Sequence, residues 1–166
     1  GLEVIEAHHV FGLPYDRIVV VVHPQSVVLA MVRLDDGSVL AHLGPPDMRV
    51  PIGHALRWPE PPPPRPAMDL LGRRLEFEPP DEDTFRCLAL ARAAGREGGT
   101  APAVLNAANE VAVAAFLEGR LSFTGIADAV ERALDAVPAE PATSLEAVLA
   151  ADAAARDAAL AGAEVG

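Results

Sequence analysis

A proline-rich segment divides the sequence into two parts. Residues 58–66 read WPEPPPPRP, with proline at 59, 61–64 and 66. Proline fixes φ and has no backbone N–H, so neither a helix interior nor a central strand can run through this segment. Segments of this composition are stiff, extended connectors. We therefore expect an N-terminal domain at residues 1–58, a connector at 59–80 and a second domain at 81–166.

The N-terminal part combines helix and strand patterns. Leu2, Ile5 and Val10 recur at helical spacing, and Gly12-Leu13-Pro14 ends that helix. RIVVVVHP, residues 17–24, predicts a buried strand because it is a continuous β-branched run that ends at proline. VVLAMVRL and SVLAHLG predict a hairpin, since Asp-Gly at 36–37 favours a tight turn. DMRVPIGHALRW predicts a short helix with Asp47 as its N-cap.

The C-terminal part has helical patterns throughout. Helices are predicted for DEDTFRCLALARAA, APAVLNAANEVAVAAFLEG, SFTGIADAVERALDAV and SLEAVLAADAAARDAALAG. The first is expected to end at Gly95, and the last to begin with a capping box from Thr143 to Glu146. Short loops between four amphipathic helices predict a bundle. The fold class is therefore α+β: a small, partly antiparallel sheet with flanking helices, the connector, and a C-terminal four-helix α-bundle.

The charge and cysteine content exclude several classes of function. The net charge is -11 and the 13 basic residues are all arginine. Nucleic-acid binding needs a basic face, so we expect no nucleic-acid partner. Cys87 is the only cysteine, which excludes an internal disulfide and a cysteine-based zinc site. No apolar run reaches the length of a membrane span, so we expect a cytoplasmic, soluble protein without a membrane partner.

The first nine residues contain several possible metal ligands. Glu6 and His9 match E-x-x-H, the spacing of di-iron carboxylate bundles, but the sequence has no second copy. Glu6, His8 and His9 are therefore interpreted as helix surface or packing. From spacing alone, a lone Glu3 near a helix start also favours the solvent side, where it complements the helix dipole.

Three further polar segments allow two interpretations each. His23-Pro-Gln-Ser26 follows a predicted strand and either faces a site or forms a turn that satisfies a backbone group. Gly44-Pro-Pro-Asp-Met48 is either a binding loop or a rigid junction with Met48 packed inward, which we favour. Asn106-Ala-Ala-Asn109-Glu110 either binds a ligand or, as we favour, forms hydrogen bonds between helices.

Five segments together resemble a known enzyme family. GLEVIEA, HPQS, DGSVLAHLGPPDMRVPI, TAPAVLNAANEVAVAAFL and SLEAVLAADA occur in the order and spacing of the C-terminal portion of the 1-deoxy-D-xylulose 5-phosphate reductoisomerase family. The resemblance implies an NADPH-dependent enzyme of non-mevalonate isoprenoid biosynthesis. It would rearrange and reduce that phosphosugar to 2-C-methyl-D-erythritol 4-phosphate with Mg²⁺ or Mn²⁺. It also implies a homodimer, with the dimer contact on the sheet part.

The resemblance assigns two site residues by position. The family's Asn-Lys-Gly-Leu-Glu motif is present as Gly1-Leu2-Glu3, so Glu3 is the expected metal ligand, substrate contact and catalytic residue. Met48 matches a family methionine beside the nicotinamide pocket. The family's His-Ser pair after HPQS is replaced by Leu29 and Ala30, which makes a polar wall of the site apolar.

The resemblance leaves two hypotheses for the chain. In the first, the chain is the C-terminal part of such an enzyme and is inactive alone, because the NADPH domain and the other metal ligands precede Gly1. In the second, the chain is a non-enzymatic dimerisation or scaffold module derived from the family, and the Leu29-Ala30 pair favours this alternative.

Overall fold

The chain has an α+β fold, as predicted. A computed structural model describes residues 1–61, 64 and 68–163. These residues form six α-helices and one two-stranded antiparallel sheet. They group into two compact units, Gly1–Val19 with Pro80–Gly166, and Val20–Pro79. Of the predicted proline connector, residues 62, 63 and 65–67 lie outside the described residues.

The first helix, α1, spans Leu2–Phe11 and begins the first unit. It ends as predicted at Gly12, which has the left-handed φ of 64° that glycine adopts without a Cβ penalty. The buried side chains of Val4 and Ile5 form its inner face, and α1 packs against a later helix of the same unit. Because of this packing, the observed units differ from the predicted boundary, which placed residues 1–58 together.

The remaining helices of the first unit follow residue 80. They are α3 (Cys87–Glu97), α4 (Ala101–Leu117), α5 (Gly125–Ala136) and α6 (Leu145–Ala163). Helix α2 (Arg49–Arg57) belongs to the second unit. Helix α4 packs against α3, α5 and α6, and α1 packs against α3. The buried positions of α4 are mostly alanine, and small side chains allow the helix axes to approach closely. This packing makes α4 the centre of the unit.

The bounds of α3 and α6 differ from the prediction, and α3 begins at Cys87 rather than within residues 81–86. Helix α3 continues past Gly95 to Glu97. Gly95 lies inside the helix, and the Tyr15 ring occupies the space that a Cβ at this position would need. At the start of α6, the Ser144 hydroxyl accepts a hydrogen bond from Ala147 N at 3.2 Å. Ser144 therefore caps this helix in the way predicted for Thr143.

The second unit contains the predicted hairpin. Strand β1 (Val28–Arg33) pairs with β2 (Val39–Leu43), with Val28 opposite Leu43 and Arg33 opposite Val39. The register is irregular between Val28 and Ala30, which is the signature of a bulge at Leu29. The turn uses Gly37 at a φ of 85°, and Asp36 Oδ1 accepts a hydrogen bond from Ser38 N at 2.9 Å.

The predicted buried strand at RIVVVVHP is wrong. Its first residue, Arg17, ends a short 3₁₀ helix that begins at Tyr15. The only described pairing of the rest of the run is a single bridge between Val22 and Glu78. The Val19 and Val22 side chains are 67% and 43% exposed. A continuous apolar run becomes a buried strand only where neighbouring strands pair with it, and the described chain supplies one bridge.

Helix α2 (Arg49–Arg57) follows the hairpin, as predicted. Asp47 Oδ1 accepts a hydrogen bond from Arg49 N at 3.0 Å, so Asp47 satisfies a backbone donor at the helix start. The prediction that Met48 packs inward is wrong, since its side chain is 70% exposed. The reason is that α2 buries none of its own residues within this chain, so its start has no core to enter.

Candidate active site

Glu3 lies in the first turn of α1, where its neighbours in sequence fix the backbone. Gly1 O accepts hydrogen bonds from Val4 N at 3.1 Å and from Ile5 N at 3.3 Å. The buried Val4 and Ile5 hold one face of the helix against the unit, while the Glu3 side chain is exposed. The structure therefore presents the Glu3 carboxylate to solvent from an anchored helix end.

A cleft with a volume of about 220 Å³ lies beside Glu3. Four helices contribute to it, and its lining residues are Gly1, Leu2, Glu3, Cys87, Ala91, Leu105, Asn109 and Val130. Its walls are mainly apolar, with the Glu3 carboxylate and the Asn109 amide as the polar groups that present oxygen. Burial raises the pKa of the Cys87 thiol above its ordinary value.

The start of α1 approaches α3 very closely at Gly1. A Cβ placed on Gly1 would lie 2.5 Å from Ala91 Cβ and 3.3 Å from Cys87 O. Carbon atoms in contact are ordinarily about 3.5–4.0 Å apart, so only glycine fits here without a shift. The Gly-Leu-Glu segment is thus seated directly on α3.

The polar residues of the NAANE segment of α4 have two different surroundings. Glu110 accepts a hydrogen bond from Arg156 of α6 at 2.8 Å and one from Asn106 at 3.1 Å, which confirms the predicted bonding between helices. Asn109 instead lines the cleft beside Glu3. Only the packing of four helices around the cleft separates Asn109 from its two neighbours in the segment.

The donor atoms of the cleft fit a hard divalent cation in part. Carboxylate and amide oxygens are ligands that Mg²⁺ and Mn²⁺ prefer, and Glu3 and Asn109 supply one of each. Across residues 1–61, 64 and 68–163, however, no three His, Cys, Asp or Glu side chains come together as a metal centre. Within the described residues, Glu3 could therefore act as one ligand of such a cation, with further ligands required.

The other residues of the N-terminal Glu/His group lie away from this cleft. The His8 ring stacks on Tyr15 with centroids 4.3 Å apart, and its Nδ1 is 2.6 Å from Leu13 O. Glu6 and His9 are exposed on α1. The structure confirms that these residues serve as helix surface and packing.

Comparisons with known proteins identify the family. The family model described as the DXP reductoisomerase C-terminal domain matches residues 43–158. The chain belongs to the 1-deoxy-D-xylulose 5-phosphate reductoisomerase family. The family member of Dechloromonas aromatica is 60% identical over 162 residues, covering 94% of this chain and 40% of the relative. The member of Moorella thermoacetica is 55% identical over 163 residues, covering 94% and 41%.

Solved structures of reductoisomerases have the same fold as this chain. The enzyme from Zymomonas mobilis in complex with NADPH superposes with a TM-score of 0.88 at 47% identity, over 99% of this chain and 44% of that one. A reductoisomerase in complex with NADPH, fosmidomycin and magnesium gives 0.88 at 42% identity, over 98% and 43%. The chain therefore spans about two fifths of the length of the relatives that it matches.

The reductoisomerase segment HPQS forms a closed turn in the second unit. His23 Nδ1 lies 2.8 Å from Glu76 O, and the His23 ring stacks on Phe77 with centroids 4.8 Å apart. Gln25 Nε2 donates to the Glu76 carboxylate at 2.5 Å. His23 thus satisfies a backbone carbonyl, as the turn interpretation predicted.

Leu29 and Ala30, which stand where the family resemblance implies a His-Ser pair, lie on β1 of the second unit. Leu29 is 46% exposed and sits at the bulge, and Ala30 is opposite His42 in the hairpin. The other family position, Met48, precedes α2 with most of its side chain exposed.

Among the helices that the structure describes, none is both long and apolar enough to cross a membrane.

Proposed function

We propose that this chain is the C-terminal part of an enzyme that converts 1-deoxy-D-xylulose 5-phosphate to 2-C-methyl-D-erythritol 4-phosphate. The reaction would use NADPH and Mg²⁺ or Mn²⁺ and would serve non-mevalonate isoprenoid biosynthesis. Membership of the reductoisomerase family supports this proposal, and relatives have been solved with NADPH, magnesium and fosmidomycin. The observation that carries it is the Gly-Leu-Glu segment, seated on α3 with the Glu3 carboxylate exposed beside a cleft.

In this proposal Glu3 has two tasks. Its carboxylate supplies one ligand to the cation and one contact to the substrate. The bound cation would act as a Lewis acid that polarises the substrate carbonyl. An exposed carboxylate on an anchored helix end suits both tasks, because it is free to bind while its backbone is fixed.

The rest of the chain has supporting roles in the proposal. Helices α3–α6 form the C-terminal helical bundle domain, and Met48 contacts the nicotinamide ring of NADPH. The large exposed fraction of the Met48 side chain leaves it available for such a contact.

We also propose a cytoplasmic homodimer. The exposed apolar side chains of the hairpin support the dimer: Met31, Val32 and Leu40 are 41%, 58% and 62% exposed.

We expect the 166-residue chain to be inactive by itself. It spans about two fifths of the reductoisomerases that it matches, and the described residues supply a single carboxylate to the metal site. Mixing the isolated chain with substrate, NADPH and Mn²⁺ should give no NADPH oxidation. Turnover by this chain alone would contradict the proposed division of the site.

The enzyme assay uses the complete protein, including any residues that precede Gly1. NADPH oxidation in the presence of 1-deoxy-D-xylulose 5-phosphate should require Mg²⁺ or Mn²⁺ and should be inhibited by fosmidomycin. The product is identified by mass spectrometry after dephosphorylation. A folded protein that neither oxidises NADPH with this substrate nor binds fosmidomycin would refute the proposed function.

A second candidate function is a non-enzymatic dimerisation module. The observation in its favour is the hairpin, where apolar Leu29 and Ala30 join an already exposed apolar surface. The same assay separates the two: a module would give a stable dimer in analytical ultracentrifugation without metal-dependent turnover. An enzyme gives both.

A further inference from the structure

We propose that Ala91 of α3 is a positioning residue for the Glu3 carboxylate, acting through its contact with Gly1. This inference rests on the proposed function, in which Glu3 binds the cation. It assigns a part of the site to a buried residue of the helical unit that has no polar side-chain group to bind a ligand.

Ala91 holds a fixed position in the helical unit. Its side chain is 2% exposed, and α3 packs against both α4 and α5. Ala91 also lines the cleft beside Glu3. Because close-packed interiors yield little to an added group, Ala91 cannot move away from the start of α1.

The Ala91 methyl group determines how closely the start of α1 can approach α3. A Cβ on Gly1 would lie 2.5 Å from Ala91 Cβ, whereas the next atoms, Cys87 O and Leu88 Cα, are at 3.3 Å and 3.9 Å. Restoring an ordinary carbon contact of about 3.5–4.0 Å requires a shift of about 1 Å. Nearly all of the conflict therefore comes from one methyl group.

A shift of Gly1 away from Ala91 would also move Glu3. Gly1 O accepts the first hydrogen bonds of α1, from Val4 N and Ile5 N, and Glu3 lies within that turn. A functional site needs its groups within about 0.5 Å of the productive geometry, and a displacement of about 1 Å can lower a rate by about 100-fold. A side chain at position 1 would thus misplace the carboxylate without touching it.

The experiment measures Mn²⁺ affinity by electron paramagnetic resonance, together with kcat/KM, in the complete protein. We expect Gly1→Ala to weaken Mn²⁺ binding by at least about tenfold and to lower kcat/KM by about 10- to 100-fold. Adding Ala91→Gly should restore both values to within about threefold, because the new methyl group then has room. The matched control adds Ala93→Gly, at an exposed position of the same helix, and should restore neither.

The outcomes separate this inference from the proposed function. If Glu3→Gln does not weaken Mn²⁺ binding, the proposed function fails and the inference with it. If Glu3→Gln abolishes binding but Gly1→Ala lowers only the unfolding temperature, Gly1 is merely structural and the inference alone is overturned. Should Gly1→Ala not fold, the double variant is compared with the unmodified protein: Mn²⁺ affinity within about threefold supports the inference, and a tenfold loss overturns it.

Discussion

Thr100 and Glu140 exchange two hydrogen bonds at the start of α4. Thr100 N donates to Glu140 O at 2.9 Å, and Glu140 N donates to Thr100 Oγ1 at 2.9 Å. Thr100 is 1% exposed and precedes the first residue of α4. The pair therefore ties the start of the central helix to the segment that leads into α6.

Replacing Thr100 with valine should destabilise the protein. Valine has nearly the same shape, but it removes the hydroxyl that accepts from Glu140 N, and a hydrogen bond of this kind contributes about 0.5–1.5 kcal/mol. Equilibrium urea unfolding of the complete protein measures this loss. Thr100→Ser keeps the hydroxyl and should retain most of the stability. A Thr100→Val variant as stable as the unmodified protein would show that this hydrogen bond contributes nothing to stability.

The contact between α4 and α6 should tolerate little added volume. Val104, Ala107 and Ala155 form one core cluster and are each 0% exposed. Ala155→Leu adds a larger side chain to this cluster, and overpacking a core costs about 1–3 kcal/mol. Ala154→Leu is the matched control, since Ala154 is exposed on the same helix. The description of this interface fails if the two variants unfold at the same urea concentration.

The ion pair between α4 and α6 should make stability depend on acidity. Arg156 donates to Glu110 and also to Asp152 at 2.7 Å, and its hydrogen bond lowers the pKa of Glu110 below the usual range. A carboxyl whose pKa is lower in the folded state stabilises the fold at neutral pH, and this contribution is lost as the pH falls below about 4.3.

Glu110→Gln tests this dependence. The variant should unfold at a lower temperature than the unmodified protein at neutral pH, and the difference should shrink as the pH falls below about 4.3. Glu97→Gln is the control, because Glu97 is exposed and has no ion pair among the described contacts. A difference for Glu110→Gln that stays constant with pH would exclude the ion pair as its cause.

Local chemistry was sufficient to predict much of the fold. Gly12 ends α1 and Gly37 forms the hairpin turn, in each case because the backbone needs a positive φ that glycine supplies. The IVVVV run could not be predicted in this way, since a strand depends on partners elsewhere in the chain. Met48 was placed wrongly for the same reason: its burial depends on what packs against α2.

The site was predicted in part from the sequence. The Gly-Leu-Glu segment identified Glu3 only through its resemblance to the family, because spacing alone favoured a solvent-facing residue. The contacts of Gly1 with Ala91 and of Thr100 with Glu140 join residues far apart in sequence, so no local pattern contains them. Asn109 was grouped with Asn106 and Glu110, and only the packing of four helices around the cleft distinguishes it.

The metal role of Glu3 is the central claim, and it is tested most directly by Mn²⁺ binding to the complete protein. Glu3→Gln should raise the dissociation constant by at least about tenfold, since the amide removes the negative charge that a hard cation prefers. Glu6→Gln, on the exposed face of the same helix, should leave the dissociation constant unchanged. If Glu3→Gln binds Mn²⁺ as tightly as the unmodified protein, Glu3 is not a metal ligand and the account is wrong.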